Sequence, residues 1–152
     1  MLYIFHGPDD FTRNEKIAEL RAAVGDPSLV DLNVTVLEGR ELRLGDIRHH
    51  ADAMPFMTDK RLVIVNNYVG QVANNSEELA QLVEYLGNLS PTTDLVLTEN
   101  ESLRRGNAVL KAAAAVDGVV THFAGPEKNN LRPWIIKKAR YIIYQSRKTS
   151  GN

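Results

Sequence analysis

From Leu2 to Phe123 the chain alternates between short apolar runs and longer segments in which apolar residues return every three or four positions. Runs of the first kind predict strands, and segments of the second predict amphipathic helices. Leu2 to His6 is the first run. Asp9, Asp10 and Thr12 then offer helix caps, Thr12 and Glu15 stand at capping-box spacing, and Ile17, Leu20 and Val24 share one helical face until Gly25-Asp26-Pro27. Leu32 to Leu37 sets Leu32, Val34 and Val36 against Asn33 and Thr35, which predicts a strand with one wetter side, at an edge of its sheet. Leu44, Ile47, Ala51 and Met54 keep helical register, with Pro55 as the stop.

"LVIV", Leu62 to Val65, is continuously apolar, the mark of an inner parallel strand covered on both faces. Asn75 and Glu78 form a second capping-box pair, and Leu79, Leu82, Val83 and Leu86 continue as an amphipathic helix to Gly87. Asp94 to Thr98 predicts a fourth strand, the Ala-rich Asn107 to Asp117 a helix, and Val119 to Phe123 a fifth strand. A last helix opens near Pro133 and carries Trp134, Ile135, Ala139, Ile142 and Ile143. The alternation defines an α/β fold: a five-stranded, mostly parallel sheet with helices on both faces and right-handed crossovers. It fits one domain over residues 1–145, with the polar stretch 146–152, "SRKTSGN", as a frayed end or a truncation point.

Composition removes several chemistries. The chain has no cysteine, which excludes disulfides, thiolate zinc and a Cys nucleophile. A net charge of -1 supplies no broad basic field. Neither a signal peptide nor an apolar run of membrane-spanning length is present, so the expected location is cytoplasmic.

The turn after the first strand stands where α/β proteins hold phosphate. A phosphate loop needs glycines, a lysine and a hydroxyl before its helix. Here Gly7 is the one glycine, Pro8 lacks an N–H, and Asp9 and Asp10 would repel an anion while serving well as caps. It therefore looks like a degenerate nucleotide turn, not expected to bind. A receiver-type Mg²⁺ pocket, or an ATPase site, would want carboxylates after the third strand, where Asn66-Asn67 stands. A nucleotide-dependent α/β enzyme with an atypical phosphate site is the alternative reading. His49 and His50, with Asp46 and Asp52, point too far apart on a helix to close on one metal ion. Ser76 and Ser90 have no evident His/Asp partner, and Glu99 and Glu101 read as a solvated loop as readily as a site. No metal and no cofactor is expected.

One connection is less ordinary. In "AMPFMTDKR", Ala53 to Arg61, helical periodicity does not force Met54, Pro55, Phe56 and Met57 inward. Flexible Met beside an aromatic suits an adaptable partner-binding surface. A Phe56 folded back as a lid on the core is the competing reading, and the residues alone leave both open.

The order Tyr3, Phe5, Gly7, then Asp9-Asp10-Phe11 with Glu15, then Asp31-Leu32-Asn33, then Ala53-Met54-Pro55-Phe56-Met57 and Lys60-Arg61-Leu62-Val63-Ile64-Val65 resembles a known family. It is similar to the N-terminal domain of the delta subunit of the bacterial DNA polymerase III clamp loader. Leu131-Arg132-Pro133-Trp134-Ile135 with Ala139 resembles that family's late helix, so the likeness runs from Leu2 to about Ile143. The resemblance implies an AAA+/P-loop-like three-layer fold with a degenerate nucleotide site. The implied role is a non-catalytic domain, within a DNA-directed DNA polymerase holoenzyme (a nucleotidyltransferase assembly), that binds and helps open the sliding clamp (beta subunit) during DNA replication. The other loader subunits are implied partners of the full-length protein. Carried over by position, the clamp-binding residues are Phe56 and Met57 first, then Pro55 and Met54, since Pro55 departs from the bulky apolar residue usual in the family. Members continue into a helical lid and collar, so the chain is expected to be a truncated domain. Lys128, Arg132, Lys137, Lys138, Arg140, Arg147 and Lys148 bias the C-terminal region to basic; a solvated face and a DNA-facing groove are the two readings, and DNA contact stays undecided.

Overall fold

A computed structural model describes residues 1–126 and 131–150. The strands are β1 (Leu2–His6), β2 (Val34–Glu38), β3 (Arg61–Asn66), β4 (Thr93–Glu99) and β5 (Val119–His122). They form one sheet in the order β2-β3-β4-β1-β5, and every pairing is parallel. The pleat sends alternate side chains to opposite faces. Leu2, Ile4, Val63, Val65, Leu95 and Leu97 face one core; Phe5, Leu62, Ile64 and Val96 face the other.

Helices cover both faces. The first core is closed by α3 (Leu44–Ala51), α4 (Val69–Val72), α5 (Ser76–Leu86) and α6 (Ala108–Ala115), through Ile47, Val69, Leu82 and Val109. The second is closed by α1 (Asp10–Ala22), whose Ile17 and Leu20 pack on it with Val24. The short α2 (Pro27–Asn33) leads into β2, and α7 (Leu131–Ser150) lies against α1 through the Phe11–Tyr141 ring pair and an Asn14–Tyr141 hydrogen bond of 2.9 Å. β3 is internal and covered on both sides, as its apolar run requires, and β2 is an edge.

The structure corrects several local expectations. α1 is capped by Asp9, which accepts the Thr12 N–H at 3.2 Å and the Thr12 hydroxyl at 2.7 Å, so Thr12 is a donor inside the first turn rather than the cap. Asn33 does not lie on the wet side of a strand: it ends α2 and is fully buried. α3 stops at Ala51, before Met54 can continue its face, because Tyr85 and Arg61 hold the residues around the helix end (below). α4 has no periodic signal in so short a span. α7 continues to Ser150, through most of the stretch 146–152 read as a polar tail. The Asn75 cap forms as expected, accepting the Glu78 N–H at 3.2 Å.

Candidate functional site

In a parallel sheet, every strand-to-helix turn opens on the carboxyl edge and every helix-to-strand connection on the amino edge. The turn after β1 and the apolar loop before β3 therefore occupy opposite ends of the molecule.

At the carboxyl edge the turn is occupied by its own chain. Gly7 has a φ of 120°, and a Cβ there would collide with the backbone carbonyl of Phe123. The amides that could cradle phosphate are already donating: Gly7 N–H to Glu99 O at 3.1 Å, Asp9 N–H to Phe123 O at 3.1 Å, Asp10 N–H to Pro8 O at 3.0 Å, and Thr12 N–H to the Asp9 carboxylate. Pro8 has none to give. The cation of the site is Arg13, which is buried and donates to Gly7 O at 2.6 Å and Asn100 Oδ1 at 2.9 Å. Burial lowers the Arg13 pKa while Asp10 and Asp9 hold it up, so the group stays charged and spends that charge within the turn.

The neighbouring strand ends are tied in the same way. Asn66 donates to the Glu38 carboxylate at 2.8 Å and accepts from the Thr98 hydroxyl, and Asn67, at a φ of 59°, accepts the Asn100 N–H at 3.2 Å. Amides thus cross-link the place where an ATPase keeps metal-binding carboxylates. Of the two readings left open for Glu99, the solvated loop does not hold: it is the buried last residue of β4 and accepts the Gly70 N–H at 3.1 Å at the start of α4. Burial pushes its carboxyl up, against the pull of the Gly70 and Val69 amides. Glu101 is exposed. His6, not singled out by sequence reasoning, is buried and stacked on His122 at 4.7 Å, and its Nδ1 accepts the Leu103 N–H at 2.9 Å. That bond requires an unprotonated Nδ1, and burial followed by His122 lowers the His6 pKa accordingly.

At the amino edge the backbone is equally well tied, but the side chains are not. Four contacts fix the loop base: Thr93 Oγ1 to Ala51 O, Arg61 Nε to His50 O at 2.9 Å, Tyr85 OH to Asp52 Oδ1 at 2.7 Å, and a pair of bonds between Asn33 and Phe56. Burial and the Asp52 bond push the Tyr85 pKa up, keeping its proton in place. Above this base Met54 is 78% exposed, Phe56 53% and Met57 76%, while Pro55 is partly covered. Phe56 is therefore no core lid. Leu32, beside Asn33, is a further exposed apolar residue.

The remaining candidates lie on α3 and α7. His49 and His50 meet edge-on at 5.1 Å, and burial, then His49 and Arg61, lower the His50 pKa. No group of His, Asp or Glu among the described residues could hold a metal ion, and no described helix is long and apolar enough to cross a membrane. α7 carries Arg132, Lys137, Lys138, Arg140, Arg147 and Lys148 and no acidic residue. Part of this charge is used in packing: Lys138 pairs with Asp10 at 3.4 Å, and Lys137 lies 4.4 Å above the Phe11 ring. Arg132, Lys137 and Arg140 line an open groove with Phe11. Lys128 lies outside the described residues.

The sheet order and the two-sided helix cover define a three-layer α/β domain with an all-parallel sheet. Residues 3–123 match the family model described as "DNA polymerase III, delta subunit", and the chain belongs to that family. It is similar to the DNA polymerase III subunit delta of Bacillus subtilis (strain 168), 28% identical over 101 residues that make up 63% of this chain and 29% of that protein. Among solved structures it is similar to the Bacillus subtilis DNA clamp loader delta protein, with a TM-score of 0.71 and 24% identity over 83% of this chain and 39% of that one. A DNA polymerase III gamma subunit-related protein from Thermotoga maritima shares the fold at a TM-score of 0.52 and 13% identity, over 88% of this chain and 43% of that one. The chain thus spans well under half the length of these relatives.

Proposed function

We propose that this chain is a non-catalytic clamp-binding domain of the DNA polymerase III delta family, which binds the sliding clamp and helps to open it. The reading rests on one observation, the exposed Met54, Phe56 and Met57 on a tied base. Membership of the delta family supports the sliding clamp as the partner of that surface. Each large apolar side chain buried against a partner contributes about 1.5–3 kcal/mol before association costs, enough for two or three to anchor a contact. Area alone does not open a ring. Opening follows only if the loop binds an opened clamp better than a closed one, since differential affinity is what shifts an equilibrium.

The spent donors of the β1 turn support a scaffold role for the nucleotide fold. The basic groove beside α7 reads as a solvated face, because Lys137 and Lys138 already serve the packing of α7 on α1. The deciding experiment mixes the protein with the sliding clamp of the same organism on a sizing column. A complex is expected for the parent and none for Phe56→Ala/Met57→Ala; no parental complex, or equal binding by the double variant, overturns the reading.

A further inference from the structure

The carboxamide of Asn33 treats Phe56 as a neighbouring strand would. Phe56 N–H donates to Asn33 Oδ1 at 2.6 Å, and Asn33 Nδ2 donates back to Phe56 O at 2.8 Å. The second Nδ2 proton goes to Leu29 O at 3.0 Å, so both protons of the amide are used and the side chain is fully buried. This pattern selects for asparagine. Aspartate has no donor for the Phe56 and Leu29 carbonyls, serine and threonine have one proton where two are needed, and glutamine is a methylene too long for the same ring. The other three anchors of the loop hold residues 50–52, before the apolar tip. Asn33 holds the tip residue itself.

The neighbours of Phe56 sharpen the constraint. Pro55 fixes its own φ on one side, and Met57 takes a left-handed φ of 58° on the other. The backbone under an exposed aromatic ring is therefore set before any partner arrives. A side chain offered on an ordered backbone loses less freedom on binding, and the saving appears as affinity.

From this geometry we infer that Asn33 is the positioning residue of the clamp-contacting loop: its two hydrogen bonds to the Phe56 backbone fix the direction in which the ring is presented. The inference rests on the proposed clamp-binding role of that loop. Its two parts are measured separately on the whole chain. Amide exchange followed by NMR should show the Phe56 N–H protected at least about a hundredfold relative to exposed loop amides. Exchange at the rate of an open loop overturns the inference with no variant needed.

Clamp affinity supplies the second measurement. Asn33→Ala should weaken clamp binding about tenfold in the parent background and by less than about twofold when Phe56→Ala is already present, because the two residues act as one unit. A general loss of stability would not produce that cancellation. Equal losses in both backgrounds, or unchanged affinity for Asn33→Ala beside a binding parent, overturn the positioning role alone. A parent that binds no sliding clamp overturns the reading of the loop, and the Phe56 exchange rate then judges the backbone clamp by itself.

Discussion

The two ends of the sheet solve the same problem in opposite ways. Both the β1 turn and the loop before β3 must satisfy backbone polar groups at a strand terminus, and both do so with internal partners. At the carboxyl edge the partners are the very groups that would otherwise meet a ligand: the turn amides, Arg13 and Asn66. At the amino edge the backbone is tied from behind, by Asn33 and Arg61, and apolar side chains are left outside. A satisfied backbone by itself therefore does not separate a binding end from a closed one. What separates the two ends is whether any capacity for interaction remains on the surface.

Gly7→Ala should produce the largest effect and should touch one end only. The residue sits at a φ that L side chains rarely adopt, and the new methyl would collide with the Phe123 carbonyl, which itself accepts the Asp9 N–H. Backbone strain and overpacking together should destabilise the fold by about 4 kcal/mol, read by denaturant unfolding. An unchanged unfolding midpoint would show that the turn is looser than this geometry requires.

Phe56→Ala/Met57→Ala reverses the pattern. With both side chains more than half exposed, stability should move by less than about 0.5 kcal/mol, while clamp affinity should fall about a hundredfold or more. A large stability loss with unaltered binding would mean that the loop is part of the core after all.

Much of this contrast could be read in the chain, and the unread part has a common cause. The inner strands were legible because Leu62 to Val65 and Leu95 to Thr98 carry their burial in consecutive residues. The emptiness of the phosphate turn was legible too, because Pro8, Asp9 and Asp10 are wrong in type wherever they point. Asn33 and Arg13 were not. Each is a polar residue whose role is defined by a partner far along the chain, Phe56 for one and Asn100 for the other. Local periodicity assigned Asn33 to a wet strand face and gave Arg13 no role. Phe56 fell between these cases, since its position outside a helix was readable and the exposure of its ring was not.

Protonation tests the carboxyl edge more gently. The folded state lowers the His6 pKa below its ordinary 6.5, so the unfolded chain takes up that proton first. Stability should therefore fall as pH drops below about 6.5 toward the lowered folded value, and recover above it. Glu99 has the opposite sign, its raised folded pKa favouring proton uptake by the native state as pH falls. His6→Asn, which retains an acceptor for the Leu103 N–H, should flatten the loss between pH 7 and 5.5 in thermal melts. An equally steep profile in the variant would assign the acid sensitivity to another group, with His50 the next to examine.

The smallest expected effect is a null one, and it bears most directly on the difference between the two edges. A ligand that binds only the folded state at ten times its dissociation constant stabilises by about 1.4 kcal/mol, or roughly 3 °C for a chain of this size. ATP or GTP with Mg²⁺ at millimolar concentration should shift the melting midpoint by less than about 0.5 °C. To bind in the turn, a triphosphate would have to take Arg13 from the Gly7 carbonyl, free amides already bonded to Glu99 and Phe123, and approach Asp9 and Asp10 without a lysine to offset them. Each step either breaks an internal bond of the turn or sets phosphate charge against a carboxylate. A midpoint that climbs with the logarithm of nucleotide concentration would mean that these internal bonds exchange for a ligand, and the carboxyl edge would then be a working site rather than a closed one.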